Sequence, residues 1–267
     1  MSGSRAAPSW ARLSSSPDGR DRVIQAVLFD GDQTLWDFQK VMRTALVAVL
    51  EELRSARPGE QTDQLRIRNL AEDRNQVALE MDGVEFNLRR LRKLGFARTL
   101  SRLRSAGGQW DEGQDAALAE QLTASYFHHR DLDPALFADA LPCLKELRPC
   151  YRLGLLSNGS RLPETIGLGN FFESVVFAQD HKMAKPDRGI FAVVERELKV
   201  APNACVLVGD HPLNDVVGAK RSGWRAVWID RVGDGIFRSP EGCRELPDAV
   251  ITSLDELGQV LSDLSNR

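Results

Sequence analysis

The sequence reads Ile24-Gln25-Ala26-Val27-Leu28-Phe29, a short apolar run, and continues directly into Asp30-Gly31-Asp32-Gln33-Thr34. The run is typical of a buried β-strand, because its side chains are mostly β-branched, aliphatic or aromatic. Ligands of open parallel sheets bind outside the carboxyl ends of the strands. We therefore expect a functional site with Asp30 and Asp32 in it, one as a nucleophile and the other as a proton donor and acceptor. The alternative is a turn or a helix N-cap built from Asp and Gly.

Five further apolar runs follow in the second half of the chain, and several end in small or polar residues. They lie at 153–156, 175–178, 205–208, 226–229 and 249–251. Helical patterns separate them, for example at 189–198 and 214–222. Alternating strands and helices predict a parallel sheet of right-handed βαβ units. The predicted fold class is therefore α/β, with a doubly wound parallel-sheet core.

The middle of the chain has a helical pattern of apolar residues in place of strand-like runs. Apolar residues recur there at helical spacing, as in Val41, Leu46, Val49, Leu50 and Leu53, and further helical patterns cover about 63–80, 86–106 and 115–130. No segment between residues 40 and 133 predicts a strand. We therefore predict a core made of residues 22–39 and 134–267, with a helical domain of residues 40–133 inserted into it. Residues 1–21, rich in Ser, Arg, Pro and Gly, are predicted to be a disordered tail.

Composition narrows the class of protein. The 267 residues are 42% hydrophobic and 27% charged with a formal net charge of −3, so a sizeable core is expected and a nucleic-acid partner is not. The four cysteines are widely spaced and form no CxxC pair, which argues against a zinc site or a disulfide framework and fits a cytoplasmic protein. No apolar stretch is long enough to span a bilayer, so no membrane partner is expected.

Four short motifs follow predicted strands in a fixed order. They are Asp30-x-Asp32-x-Thr34, Ser157-Asn158-Gly159, Lys185-Pro186-Asp187, and Gly209-Asp210 followed by Asn214-Asp215. In this order they resemble the haloacid dehalogenase superfamily of hydrolases, which are mostly phosphatases. The resemblance covers about residues 23–251 and implies a Rossmann-like core. The helical block falls between the first and second motifs, where the helical-cap subgroup of that superfamily carries a mobile cap domain.

The resemblance implies a role for each acid. Asp30 matches the nucleophile, which forms an aspartyl-phosphate, and Asp32 matches the general acid and base. In the family, Asp30, Asp210 and the backbone carbonyl of Asp32 are ligands of Mg²⁺. Asp215 matches an acid outside the metal's ligand shell that orients a bound water or Lys185.

The remaining roles concern the phosphate. Ser157 and the backbone amide of Asn158 match a phosphate-binding loop, and Thr34 is grouped with them. Lys185 matches the cation that offsets the negative charge of the nucleophile and the phosphate. A hydroxyl and a backbone N–H are suitable donors to phosphoryl oxygens.

The charge of these residues independently favours a metal cofactor. Asp30, Asp32, Asp210 and Asp215 carry four negative charges against the single positive charge of Lys185. Two like charges about 4 Å apart repel by about 4 kcal/mol at an effective dielectric constant of 20. A divalent cation reverses the local sign and lets a dianionic phosphate bind; the family resemblance implies that this cofactor is Mg²⁺, which prefers oxygen ligands.

The predicted function is hydrolysis of a small-molecule phosphomonoester. Haloalkanoate dehalogenases of the superfamily lack the second acid, because a halide needs no proton, and Asp32 therefore favours a phosphate ester. Three alternatives stay open: a phosphomutase, a 2-haloacid dehalogenase, and a non-catalytic binding member. The substrate is open among a sugar phosphate, a nucleotide, phosphoglycolate and an acylneuraminate phosphate, and the oligomeric state is not predicted.

Two departures from the family pattern lie in the first motif. Gly31 stands where many relatives have a larger apolar residue, and Gln33 stands where Gly, Asp or Asn is common. Trp36 has two open interpretations, a flank of the substrate entrance or a packing residue. The arginine-rich segment that begins at residue 89 is interpreted as a solvated helix face, in preference to a grip on an anionic leaving group.

Overall fold

The computed structural model describes residues 24–83, 86–108, 110–231 and 233–266. The predicted tail at residues 1–21 lies outside the described residues. The described chain separates into two compact units. One consists of residues 24–36 and 136–266 and is called here the sheet unit. The other consists of residues 37–135 and is called the helical unit.

A six-stranded sheet organises the sheet unit. Its strands are β1 (Ala26–Phe29), β2 (Arg152–Ser157), β3 (Ser174–Phe177), β4 (Cys205–Gly209), β5 (Arg225–Ile229) and β6 (Ala249–Ile251). All neighbours are parallel, in the order β3-β2-β1-β4-β5-β6. The chain adds strands on one side of β1 and then on the other, which confirms the predicted doubly wound parallel sheet.

The helices of the sheet unit are α6 (Ala140–Leu147), α7 (Ala178–His181), α8 (Arg188–Leu198), α9 (Gly218–Arg221) and α10 (Leu257–Ser265). The Asp187 side chain caps α8 by accepting a hydrogen bond from the backbone of Gly189 at 2.6 Å. The apolar face of α8 joins strands β1, β2, β3 and β4 in one buried cluster, in which Phe191 meets Trp224 edge-on at 5.2 Å. Burial of this face against the sheet is the main reason for the helix to form here.

The helix predicted at 214–222 is irregular. A π-helical turn, Pro212–Val217, comes first, and α9 completes the segment. His211 begins the turn, since its Nδ1 accepts hydrogen bonds from the backbone N–H groups of Leu213 and Asn214, both at 3.2 Å. Turns of this type occur often at functional sites, and this one carries Asp215.

The helical unit contains α1 (Phe38–Ala56), α2 (Glu60–Asp63), α3 (Ile67–Glu80), α4 (Leu88–Ser105) and α5 (Asp115–Leu132). Its described residues form no strand. Asp37 caps α1 by accepting a hydrogen bond from the backbone of Lys40 at 2.8 Å. The unit has an apolar core of its own, built mainly from α1, α4 and α5. None of the described helices is both long and apolar enough to span a membrane.

The arginine-rich helix α4 departs from the sequence-based interpretation at one position. Arg89 and Arg90 are exposed, but Arg92 is buried and only 8% exposed. Its guanidinium lies 4.2 Å from the ring centre of Tyr126 and donates to that residue's hydroxyl at 3.2 Å. The prediction of a solvated face is therefore wrong for Arg92, because the aromatic partner comes from α5 and is not visible in the local pattern of α4.

A largely buried ion pair, with side chains 9% and 10% exposed, ties the loop after β1 to the carboxyl ends of β5 and β6. Arg231 donates to Asp139 at 2.6 Å and to the backbone carbonyl of Thr34 at 2.6 Å. Asp139 also accepts from the Ser253 hydroxyl and the Leu254 backbone. Burial alone would raise the pKa of Asp139, but these donors and the charge of Arg231 outweigh it and lower the pKa.

We expect Arg231→Met to lower the free energy of unfolding by up to about 3–5 kcal/mol, the cost of breaking a fully buried pair, since it leaves a largely buried carboxylate without its cation. Urea unfolding measures the loss. Arg238→Met is the matched control, because Arg238 pairs with Asp234 in the same connection but is exposed, and an exposed pair contributes little to stability. Equal losses in the two variants would contradict the structural role of the buried pair.

Candidate active site

The carboxyl ends of three adjacent strands bring the predicted site residues together. Asp30 follows β1, Ser157 is the last residue of β2, and Asp210 follows β4. The backbone of Asp30 donates to the Val208 carbonyl at 2.9 Å, which extends the pairing of β1 with β4 by one residue. The strand order reverses at β1, and such a switch point is where open α/β sheets bind ligands.

Lys185 is the buried cation of the site. Its Nζ donates to Asp30 Oδ1 at 2.6 Å and to Asp215 Oδ1 at 2.7 Å, and the residue is only 3% exposed. Burial disfavours the ammonium ion, but the charges of Asp215 and Asp30 outweigh burial and raise the pKa of Lys185 above its ordinary value. Lys185 is therefore a fixed positive charge against the predicted nucleophile.

Asn158 holds the backbone of Lys185. Its side-chain Nδ2 donates to the Lys185 carbonyl at 3.0 Å, and its Oδ1 accepts from the Lys185 N–H at 2.9 Å. The sequence analysis assigned only the backbone amide of Asn158, to phosphate, and missed this contact of its side chain. The only signal in the sequence for this contact is the side-chain carboxamide of Asn158, whose NH₂ group donates and whose oxygen accepts in one plane.

Three carboxylates form an acidic cluster beside Lys185. One oxygen each from Asp30, Asp210 and Asp215 lies within 4.8 Å of the others. Burial raises the pKa of Asp30 well above its ordinary value; the charge of Lys185 opposes this, and the neighbouring acids add to it. Burial, together with the charge of Asp215, raises the pKa of Asp210 to about 7.

The cluster fits a hard divalent cation. Both oxygens of Asp215 are engaged, Oδ1 by Lys185 and Oδ2 by the backbone N–H of His211 at 2.9 Å. Asp30 and Asp210 therefore remain as the side chains best suited to bind the ion directly. All the donors are oxygens, which Mg²⁺ prefers. The Nε1 of Trp228 donates to the backbone carbonyl of Asp210 at 2.6 Å and holds the backbone at that position.

Asp32 has surroundings that differ from those of Asp30. Its Oδ1 accepts from Trp36 Nε1 at 2.6 Å. Its Oδ2 lies against the loop after β2, since a Cβ placed on Gly159 would be 2.8 Å from Oδ2 and 3.2 Å from Ser157 Oγ. The backbone of Gly159 donates to that Oγ at 3.0 Å. The predicted proton donor therefore faces the predicted phosphate-binding loop.

Two residues of the first loop lie deeper than expected. Trp36 is fully buried, which excludes the flank of an entrance and leaves the packing interpretation. Thr34 is also fully buried, and its Oγ1 has no hydrogen-bond partner. Its backbone carbonyl, not its hydroxyl, makes the contact that fixes the loop, through Arg231. The side chain of Thr34 therefore has no exposed surface through which it could bind phosphate, and the structure gives no support to that assignment.

Gln33 occupies the left-handed region, with φ of +60°. Gly, Asn and Asp tolerate this conformation better than other residues. The preference of relatives for Gly, Asp or Asn at this position thus has a backbone cause, and Gln33 keeps the same turn with a residue less suited to it.

Comparison with known proteins agrees with this geometry. A family model described as haloacid dehalogenase-like hydrolase matches residues 24–223. The chain is 28% identical to the 5-amino-6-(5-phospho-D-ribitylamino)uracil phosphatase YigB of Escherichia coli, over 89% of this chain and 96% of that protein. It is also 28% identical to a glyceraldehyde 3-phosphate phosphatase of Methanopyrus kandleri, over 91% of this chain and 99% of that protein.

A solved structure shares the fold over almost its whole length. It is the 2-haloacid dehalogenase of Pseudomonas syringae pv. Tomato, which superimposes with a TM-score of 0.72 at 30% identity. The match covers 90% of this chain and 99% of that one. With the parallel sheet, the order of the four motifs and the match over residues 24–223, the chain belongs to the family of haloacid dehalogenase-like hydrolases.

Proposed function

We propose that this protein is a phosphatase that hydrolyses a small-molecule phosphomonoester through a phosphorylated Asp30. The observation that carries the proposal is the second carboxylate, Asp32, directed at the Ser157–Gly159 loop while Asp30 lies against Lys185. One site thus holds a nucleophile and a separate proton donor. The phosphatase names of the two relatives support the same reaction class.

In the first step, a carboxylate oxygen of Asp30 attacks phosphorus and the bond to the ester oxygen breaks. Asp32 gives its proton to that leaving oxygen, so the alcohol departs neutral. Lys185 offsets the negative charge that gathers on the phosphoryl group, and Ser157 with the Asn158 amide donates to its oxygens.

In the second step, water releases the phosphate from Asp30. Asp32, now ionised, takes a proton from the attacking water and is ready for the next turnover. A bound Mg²⁺ supplies positive charge to the phosphoryl oxygens. Asp30 and Asp210 would hold it, with the Asp32 carbonyl as the ligand implied by the family resemblance, while Asp215 keeps Lys185 in place.

The helical unit is proposed to act as the cap domain that selects the substrate. It is one continuous insertion, and it leaves and re-enters the sheet unit at adjacent points, since Trp36 pairs with Leu136 and Phe137 donates to the Leu35 carbonyl at 3.0 Å. A closing lid of this kind excludes water during phosphoryl transfer. Which phosphate ester it admits stays open, and cytoplasmic localisation stays a prediction.

A 2-haloacid dehalogenase is the second candidate, favoured by the structural match to such an enzyme. In that reaction Asp30 would attack carbon and release halide, and no proton donor would be needed. Chloride release from 2-chloropropionate, compared with phosphate release from a phosphometabolite panel with and without Mg²⁺, separates the two candidates.

The roles of the two leading acids can be separated by leaving group. Asp30→Asn should abolish turnover of every phosphate ester. Asp32→Asn should slow alkyl phosphates by about 10²–10⁴-fold, because general acid catalysis contributes that much and matters most for a basic leaving group. It should spare the attack on p-nitrophenyl phosphate, giving a burst of nitrophenol and a slowly hydrolysed phospho-Asp30. Rapid-quench kinetics and intact-protein mass measure both effects, and wild-type rates on alkyl phosphates would contradict the assignment.

Binding of Mg²⁺ should release a proton and weaken as the pH falls. Burial and the charge of Asp215 raise the pKa of Asp210 to about 7, so a larger fraction of the side chain is protonated at pH 6 than at pH 8. A cation binds the ionised form and must displace that proton. We therefore expect weaker Mg²⁺ binding and greater proton release at pH 6 than at pH 8.

Calorimetric titration with Mg²⁺ in two buffers of different ionisation enthalpy measures both quantities. Asp210→Asn is the control, because it removes the titrating ligand. Equal affinity and equal proton release at the two pH values would contradict the role of Asp210 as a ligand.

Replacement of residues 37–135 by a short Gly-Ser linker should leave the sheet unit folded, because each unit has its own apolar core. We expect the profile over a phosphometabolite panel to flatten, while turnover of p-nitrophenyl phosphate persists. Circular dichroism and panel kinetics check the two expectations. An unchanged substrate profile would show that the helical unit does not select the substrate.

A further inference from the structure

The indole of Trp36 holds one oxygen of Asp32. Its Nε1 donates to Oδ1 at 2.6 Å, and the ring is fully buried. An indole N–H donates and never accepts. Oδ1 therefore accepts whether or not Asp32 carries a proton, and the proton of the neutral acid is favoured on Oδ2, because the carbonyl-type oxygen of a carboxyl group is the better acceptor.

The loop geometry makes this contact possible only because residue 31 is glycine. The backbone N–H groups of Leu35 and Trp36 both donate to the Gly31 carbonyl, at 2.9 and 3.2 Å, and fold the loop back on itself. A Cβ on Gly31 would lie 2.2 Å from Cζ2 of the indole, so the ring occupies the space of the missing side chain. The position of the Trp36 ring thus requires glycine at position 31, which explains why a large apolar residue is absent there.

The other oxygen of Asp32 faces the reacting groups. Oδ2 lies where a Cβ on Gly159 would come within 2.8 Å of it, in the loop that carries Ser157. The indole therefore contacts Oδ1 of Asp32, and the loop that carries Gly159 lies next to Oδ2 of the same carboxyl group. Rotation of the carboxyl group would bring Oδ1 to the loop only by breaking the hydrogen bond to Trp36.

We propose that Trp36 is a positioning residue that fixes the carboxyl group of Asp32 and assigns proton transfer to Oδ2. This inference rests on the proposed function, in which Asp32 protonates the leaving oxygen. The proton leaves Oδ2 for the ester oxygen as the P–O bond breaks, and Asp30 forms the new bond to phosphorus. In the second step a proton from water returns to Oδ2.

Loss of the indole N–H should therefore act on leaving groups selectively. Misplacement of a reacting group by about 1 Å can cost about 10²-fold. We expect Trp36→Phe to lower kcat for alkyl phosphates by about 10–100-fold, with little change in KM. The nitrophenol burst from p-nitrophenyl phosphate should keep its wild-type rate, because that leaving group needs no proton.

An isosteric variant separates the hydrogen bond from the packing. Trp36→benzothienylalanine keeps the bicyclic shape and replaces only the N–H by sulfur. It should fold like the wild type and show the same selective loss as Trp36→Phe. It also keeps the test open if the phenylalanine variant fails to fold.

Trp224→Phe is the matched control within the chain. Trp224 is equally buried, and its Nε1 donates to the carboxylate of Glu195 at 2.8 Å, among residues of α8 rather than those of the site. We expect this variant to lose stability in thermal unfolding but to keep the wild-type ratio of alkyl to aryl phosphate rates.

Two outcomes would overturn the inference: an equal loss of the phosphoenzyme-forming rate for alkyl and aryl phosphates in both Trp36 variants, or no loss of the alkyl phosphate rate in the benzothienyl variant. Asp32→Asn, measured on the same substrates, keeps this result separate from the proposed function. If Asp32→Asn shows the selective loss and the Trp36 variants do not, only the role of Trp36 fails. If Asp32→Asn itself shows no selectivity, the assignment of the acid fails.

Discussion

The ammonium group of Lys185 is the constraint on which the site depends. It is buried, and of its two strong partners Asp30 comes from earlier in the chain and Asp215 from later. Removing one member of a buried ion pair typically costs about 3–5 kcal/mol, because the remaining charge is left without compensation. The folded chain must therefore bring Asp30, Lys185 and Asp215 into contact with one another. This need constrains the end of β1 and the π-helical turn. It also constrains the backbone of Lys185, which Asn158 holds.

The loop after β1 gives different surroundings to two acids that are only two positions apart. Asp30 and Asp32 share a loop but not an environment, since one meets an ammonium ion and the other meets an indole N–H. An ammonium ion stabilises negative charge strongly, whereas an indole N–H is neutral and directional. This contrast suits a division between a carboxylate whose charged, attacking form Lys185 stabilises against the cost of burial and one that passes through both protonation states.

The sheet and its acidic edge could be predicted from sequence because they depend on local patterns and on strand order. Several apolar runs end in small or polar residues, and parallel strands collect these ends at one edge, which predicts that Asp30, Ser157 and Asp210 lie close together. The side-chain contacts of Trp36 and Asn158 were not predictable in the same way, because each depends on how tightly a particular turn closes. Arg92 was misassigned for a similar reason, since its aromatic partner Tyr126 lies on another helix.

The order in which the strands occur along the chain also bears on synthesis. Among the described strands β1 is synthesised first, yet it lies in the middle of the sheet, and its partners β2 and β4 start only at Arg152 and Cys205. The helical unit is one continuous segment with its own core, so all of its contacts are available before β2 is made. Local helical contacts form much faster than pairings between distant strands. The nascent chain therefore holds an apolar, unpaired β1 while the helical unit folds, and this is the period in which β1 depends most on protection from aggregation.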